Sequence, residues 1–172
     1  MKNLFSAAIV IASLVLASTA KAQEPPKPGP EHAMLKKQEG TWDTVMKMAG
    51  MESKGTAVYK MDLGGLWLTS TFEGELFGSK FTGKGFDSYD PAKKKFVGVW
   101  VDSMSTSPMT TEGTFDKEKK TLTMSGEGPG MDGKSQKYKT VSEMKDDDNI
   151  HFAMYMGDSK EPAFTIHYKR KK

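Results

Sequence analysis

The stretch Gly64–Ser103, GGLWLTSTFEGELFGSKFTGKGFDSYDPAKKKFVGVWVDS, decides how the rest of the chain is read. Leu66, Leu68, Phe72 and Leu76 fall on one face, and Thr69, Thr71, Glu73 and Glu75 fall on the other. That period of two belongs to a β-strand with one buried face. Asp90-Pro91-Ala92-Lys93 then supplies turn residues. Three strands joined by turns are predicted here, with Trp67 and Trp100 near the two ends.

Outward from this stretch the text stays strand and turn. Further strands are predicted at Thr41–Met48, Gly55–Met61, Met109–Phe115, Thr121–Glu127, Ser135–Lys145, Ile150–Met156 and Ala163–Lys169. Turn chemistry separates them at Leu63-Gly64-Gly65, Asp116-Lys117-Glu118-Lys119, Pro129–Gly133, Asp146–Asn149 and Gly157–Pro162. Connections this short leave no room for crossover helices, so neighbours run antiparallel in a meander of about ten strands. Gly74, Gly83, Gly85, Gly98, Gly113 and Gly126 sit inside strands. Glycine weakens a flat sheet but suits the bends of a closed barrel, and closure removes the edge strands. The expected architecture is therefore an all-β antiparallel barrel rather than a sandwich. Glu31–Gln38 holds helix formers around Met34 and Leu35 and predicts a short N-terminal helix that caps one end.

The first residues read differently. Met1-Lys2-Asn3 is a basic start, Leu4–Ala20 is apolar, and Ala20-Lys21-Ala22 gives the small-x-small pattern of a signal-peptide cleavage site. Residues 1–22 are expected to be a Sec-type signal peptide cut before Gln23. Residues 23–30, QEPPKPGP, would be a proline-rich linker, and residues 31–172 a single β-barrel domain. The expected location is periplasmic or secreted, in a bacterium, with no stable membrane anchor once the leader is cut. Of the 25 basic residues, Lys2 and Lys21 lie in that leader, which leaves 23 against 22 acidic residues. So balanced a charge is no footprint for nucleic acid. With no cysteine in the chain, the core must hold without disulfides.

Two sets of residues carry resemblances. Gly40-Thr41-Trp42, after a short helix and opening the first strand, resembles the Gly-x-Trp start of calycin barrels such as lipocalins, fatty-acid-binding proteins and nitrobindin-like haem proteins. The resemblance implies a tryptophan packed across the closed end of a cup. Leu63-Gly64-Gly65-Leu66-Trp67-Leu68, Gly83-Lys84-Gly85-Phe86-Asp87-Ser88-Tyr89-Asp90, Trp100-Val101-Asp102-Ser103-Met104 and Glu112-Gly113-Thr114-Phe115-Asp116 are together similar to a bacterial domain-of-unknown-function family, number 1579. That resemblance spans about Met34 to Tyr168. It implies a fold and a compartment, and it implies no catalytic residues.

The candidate ligand-binding residues are Trp67, Phe72, Phe86, Trp100, Asp102, Met154, Tyr155 and His167. Together they would line an apolar cup with one or two polar anchors. Asp102 shares a strand face with Trp100, where a carboxylate needs partners if buried. Strand methionines suit an adaptable pocket or a forgiving core better than a soft-metal site, so no metal is expected. No cofactor is expected either; the nitrobindin-like comparison implies haem through His167 or His151 as the lesser alternative. No nucleophile elbow, P-loop or zinc-binding helix is present in the sequence, and no catalytic residue is assigned. The expected function is a non-catalytic binding module for a small apolar or amphipathic ligand. The alternatives are an enzyme using Asp102 and His167 as an acid–base pair in the same cup, and an interaction domain with a filled interior. The sequence leaves the oligomeric state open.

Overall fold

The computed structural model describes residues 24–130 and 132–172. The leader expected at residues 1–22 lies outside the described residues. Ten strands follow in order: β1 (Gly40–Met48), β2 (Met51–Asp62), β3 (Trp67–Leu76), β4 (Ser79–Asp90), β5 (Lys95–Asp102), β6 (Met109–Asp116), β7 (Thr121–Pro129), β8 (Ser135–Met144), β9 (Asn149–Met156) and β10 (Phe164–Arg170). Each pairs antiparallel with the next, and β10 returns to pair with β1, so the sheet closes. The closed meander with a short helix, α1 (Pro30–Lys36), is the architecture that the alternation and the short turns predict.

β2 begins four residues earlier than its composition suggests. Ala49 and Gly50 form a two-residue hairpin turn with φ of 49° and 79°. Phe77 and Gly78 do the same between β3 and β4, with φ of 52° and 76°. Left-handed backbone at both central positions matches the twist of the flanking strands. Alanine and phenylalanine rarely adopt it, so only the glycine of each turn signals it.

Closure fixes which side chains point inward. In register round the wall, Trp42 opposes Ala57, Ala57 opposes Phe72, Phe72 opposes Gly83, and Gly83 opposes Asp102. The opposite parity faces solvent and carries exposed Lys54, Lys60, Glu73, Lys84 and Lys139. A charged exterior around an apolar interior is the inverse of a lipid-embedded barrel.

One end of the barrel is closed by α1 and by a cluster around Trp42. Leu35 is fully buried, and with Met34 it packs on Leu68, Phe96, Leu122 and Met124. Burying one such leucine contributes about 2 kcal/mol. Trp42 is likewise buried, and its Nε1–H donates to the Gln38 carbonyl at 2.9 Å. The Arg170 guanidinium stacks 4.1 Å above the Trp42 ring. It donates to the carbonyls of Glu39 (2.6 Å), Lys37 (2.8 Å) and Asp147 (2.8 Å). Gly40 has φ of 134°, and a Cβ there would sit 2.6 Å from Arg170 Nη1. The glycine and tryptophan two apart therefore serve one arrangement, in which the last strand is locked over the first.

The turns at this end are built alike. The Asp90 Oδ1 accepts from the backbone N–H groups of Ala92 and Lys93, and the Asp116 Oδ1 from those of Glu118 and Lys119. Asp146 accepts from the backbone of Asp148 and the side chain of Asn149. Each is an aspartate folding back on its own turn. The acids at Asp146–Asp148 are thus hairpin architecture.

Candidate functional site

The barrel interior is built from three kinds of residue. Large apolar groups form two clusters, one around Trp42, Phe72, Phe81 and Ile166 and the other around Leu68, Phe96 and Met124. Glycines clear space for some of them. The Trp100 indole lies along β4, where a Cβ on Gly83 would collide with its six-membered ring. Polar groups make up the third set: Thr44 and Ser70 are buried, and Tyr59, Asp87 and Tyr168 face inward beside them.

Asp102 is held at the end away from α1. Its Oδ2 accepts the Trp100 Nε1–H at 3.0 Å, and its Oδ1 accepts the Met104 backbone N–H at 2.9 Å. Those two bonds fix the indole against Gly83 and occupy both carboxylate oxygens. Asp102 is therefore a positioning group for Trp100. Gly83→Ala is expected to push the indole off the wall and break its bond to Asp102. The tryptophan emission should shift to the red, and stability should fall by about 2 kcal/mol, as overpacked interiors do. An unchanged emission spectrum would contradict this packing.

Asp87 differs in kind. It sits inward on β4 opposite Leu68 and Gly98, enclosed by the barrel wall, and burial alone lifts its carboxyl to about 7. Among the described residues no group donates a hydrogen bond to it. A Cβ on Gly98 would lie 2.6 Å from Asp87 Oδ1 and 3.0 Å from Thr111 Oγ1, so both oxygens converge over that glycine. The rings of Tyr59 and Tyr168 meet edge-on with centroids 6.2 Å apart. Burial pushes the Tyr59 phenol well above its ordinary value and the Tyr168 phenol up to about 12, and the charge of Asp87 adds to both shifts. Thr44, opposite Tyr168 in register, is almost fully buried, and its Oγ1 has no hydrogen-bond partner among the described residues. Asp87 nonetheless keeps accessible surface. An enclosed side chain with accessible surface faces an internal hollow.

A recess of about 610 Å³ opens at the α1 end, between the helix and the hairpin turns. Met34, Trp42, Tyr89, Phe96, Met144 and Ile150 form its apolar floor, and Lys94, Lys117 and Lys120 stand at its rim. Its volume falls in the range of small-molecule sites. Asp87 lies one inward position along β4 from Tyr89. A smaller hollow of about 170 Å³ lies at the other end beside Met46, Leu76 and Phe77.

The residues expected from sequence to line a cup divide in two. Phe72, Trp100, Asp102 and Met154 point inward. Trp67, Phe86, Tyr155 and His167 lie on the outer face, because each is an odd number of residues from an inward neighbour on its strand. Phe86 is 39% exposed, and Tyr155 carries the Lys139 ammonium 4.2 Å from its ring centre. His167 opposes His151 across β9 and β10, both outside. Asp102 and His167 are thus separated by the wall and cannot act as a pair, and neither histidine offers an imidazole to the interior. Asp87, Tyr59, Tyr168 and Thr44 are among the inward polar residues that sequence reasoning missed. The signal was parity: Phe81, Gly83, Gly85, Asp87 and Tyr89 alternate on one face of β4.

A model of a protein family of unknown function, DUF1579, matches residues 27–170. The chain belongs to the DUF1579 family. A search of curated proteins finds no match for this DUF1579 chain. Among solved structures it is similar to a de novo designed fluorescence-activating β-barrel, with a TM-score of 0.47 and 13% identity over 80% of this chain and 96% of that one. It is also similar to a redesigned β-barrel, with a TM-score of 0.44 and 13% identity over 86% of this chain and 100% of that one. Membership in DUF1579 identifies the family and leaves the chemistry to be argued from the barrel itself.

Proposed function

We propose that this DUF1579 protein is an exported, non-catalytic binding module that holds a small apolar or amphipathic molecule in its barrel. The observation that carries this reading is the unfilled interior. Thr44 and Asp87 are enclosed with unmade hydrogen bonds, and the inward-facing Asp87, Trp100, Phe152 and Phe164 all keep accessible surface. Unsatisfied buried polar groups cost on the order of 1–3 kcal/mol each. A protein evolved only for stability would replace them with apolar residues, whereas a ligand that supplies the missing bonds recovers that cost. The recess at the α1 end is a second apolar hollow of small-molecule size, on the outer side of the closed end. With both oxygens of Asp102 engaged in holding Trp100 and Met104, and His167 on the other side of the wall, binding is favoured over acid–base catalysis.

Two measurements on one preparation test the reading. Titration with N-phenyl-1-naphthylamine, a neutral probe of apolar sites, should give saturable, one-to-one fluorescence enhancement. Native mass spectrometry of protein purified from its own host should show a mass beginning at Gln23 together with a bound small molecule. No saturable enhancement and no adduct would sink the binding function, and a mass beginning at Met1 would sink export.

A further inference from the structure

The barrel interior is acidic and lacks a free base. Asp87 on β4 faces the interior on the same inward parity as Tyr59 on β2 and Tyr168 on β10, whose rings meet edge-on with centroids 6.2 Å apart. Arg170, the basic residue on the inward parity of the described strands, is spent on three backbone carbonyls, the Asp148 carboxylate and the Trp42 ring. His32 accepts the Gly29 N–H through Nδ1 and stays with α1, while His151 and His167 stand outside. The lysines of the described strands lie on the outer parity or at the turns.

This asymmetry has a chemical meaning for whatever enters. A carboxylate head would place a second anion beside Asp87 in a low-dielectric interior, with no cation to share. An ammonium head would instead supply the donors that Asp87 lacks, through charge-assisted hydrogen bonds. The Tyr59 and Tyr168 faces would flank it, a position in which aromatic rings attract cations. The apolar tail would run past Phe152 and Phe164, which face inward and keep accessible surface.

We propose that the molecule this barrel holds is an amphiphilic amine, its ammonium seated on Asp87 between Tyr59 and Tyr168, and that the barrel rejects aliphatic carboxylates of the same length. This rests on the binding function argued above and narrows it to one ligand class. The burial that lifts the Asp87 carboxyl supports it, since an ion pair is what would hold that group charged.

The test is competition against bound N-phenyl-1-naphthylamine at pH 8 with decylamine and decanoate, both below their micelle concentrations. Decylamine should displace the probe at least about tenfold more effectively than decanoate, and Asp87→Asn should abolish most of that ratio. Glu73→Gln, on the outer face of β3, should leave the ratio unchanged and so exclude adsorption to the surface. Equal displacement, a preference for decanoate, displacement by neither, or a ratio that survives Asp87→Asn would each overturn the proposal. Failure of the probe itself to bind would instead overturn the binding function on which it stands.

Discussion

Asp87→Asn is expected to stabilise the protein at pH 8 by about 3 kcal/mol, a rise in melting temperature of roughly 6–12 °C for a domain of this size. The sign follows from the direction of the shift. In the unfolded chain the carboxyl titrates near its ordinary value of 3.8, and in the barrel burial lifts it to about 7. The folded state therefore holds this proton more tightly, and stability is highest below the unfolded value. It declines as pH rises from about 4 and is fully lost once pH passes the folded value near 7. One pKa unit is about 1.4 kcal/mol, so the whole window spans about 4 kcal/mol at most. Asparagine keeps the shape and removes the ionisation. Urea denaturation between pH 4 and pH 8 should show the native protein losing stability across the window while the variant stays level. Parallel curves would place Asp87 in contact with solvent and remove it from the interior. A side chain that costs this much at neutral pH is one that selection for stability alone would have discarded, and such residues gather at functional sites.

The second large effect is at the closure. Arg170→Ala should cost about 3 kcal/mol, since three charge-assisted bonds to carbonyls and the stack on Trp42 are lost together. Arg170→Lys should restore less than half, because an ammonium cannot divide itself among three carbonyls while lying flat on an indole. Trp42→Ala should cost about 4 kcal/mol as a buried aromatic. The double variant should cost clearly less than the sum, since each partner's loss already frees the other. Strict additivity in chemical denaturation would show that the two residues act separately.

Much of this fold was legible because β-strands write their faces into alternation. Leu68 and Phe72 are two inward positions apart, and the turns that begin with Asp90 and Asp116 announce themselves by residue type. The site was less legible because size competed with parity. Phe86 and Tyr155 are bulky enough to suggest a cup, yet each stands one residue from the inward side chain, Asp87 in one case and Met154 in the other. Trp67 beside Leu68 repeats the pattern. An aspartate on an inward face reads as an error in an apolar pattern, and only the closed sheet shows that Asp87 is surrounded. Distance matters too: Tyr59, Asp87 and Tyr168 come from three strands, and no spacing in the sequence announces that they share one interior. The breaks after Met48 and near Phe77 were legible, but the tightness of the two-residue turns was not, since Ala49 and Phe77 are poor residues for left-handed backbone.

The seam between β1 and β10 also sets an order of events. Every other strand pair joins neighbours in sequence and can form as a hairpin while the chain is still arriving. The seam joins Glu39 to Arg170 across 131 residues, so it forms last. Until then β1 presents an unpaired edge for the whole lifetime of the growing sheet, open to the β10 of another copy as readily as to its own. The arginine over the tryptophan is thus a latch with a temporal role: its arrival ends the interval in which the chain can exchange strands with its neighbours.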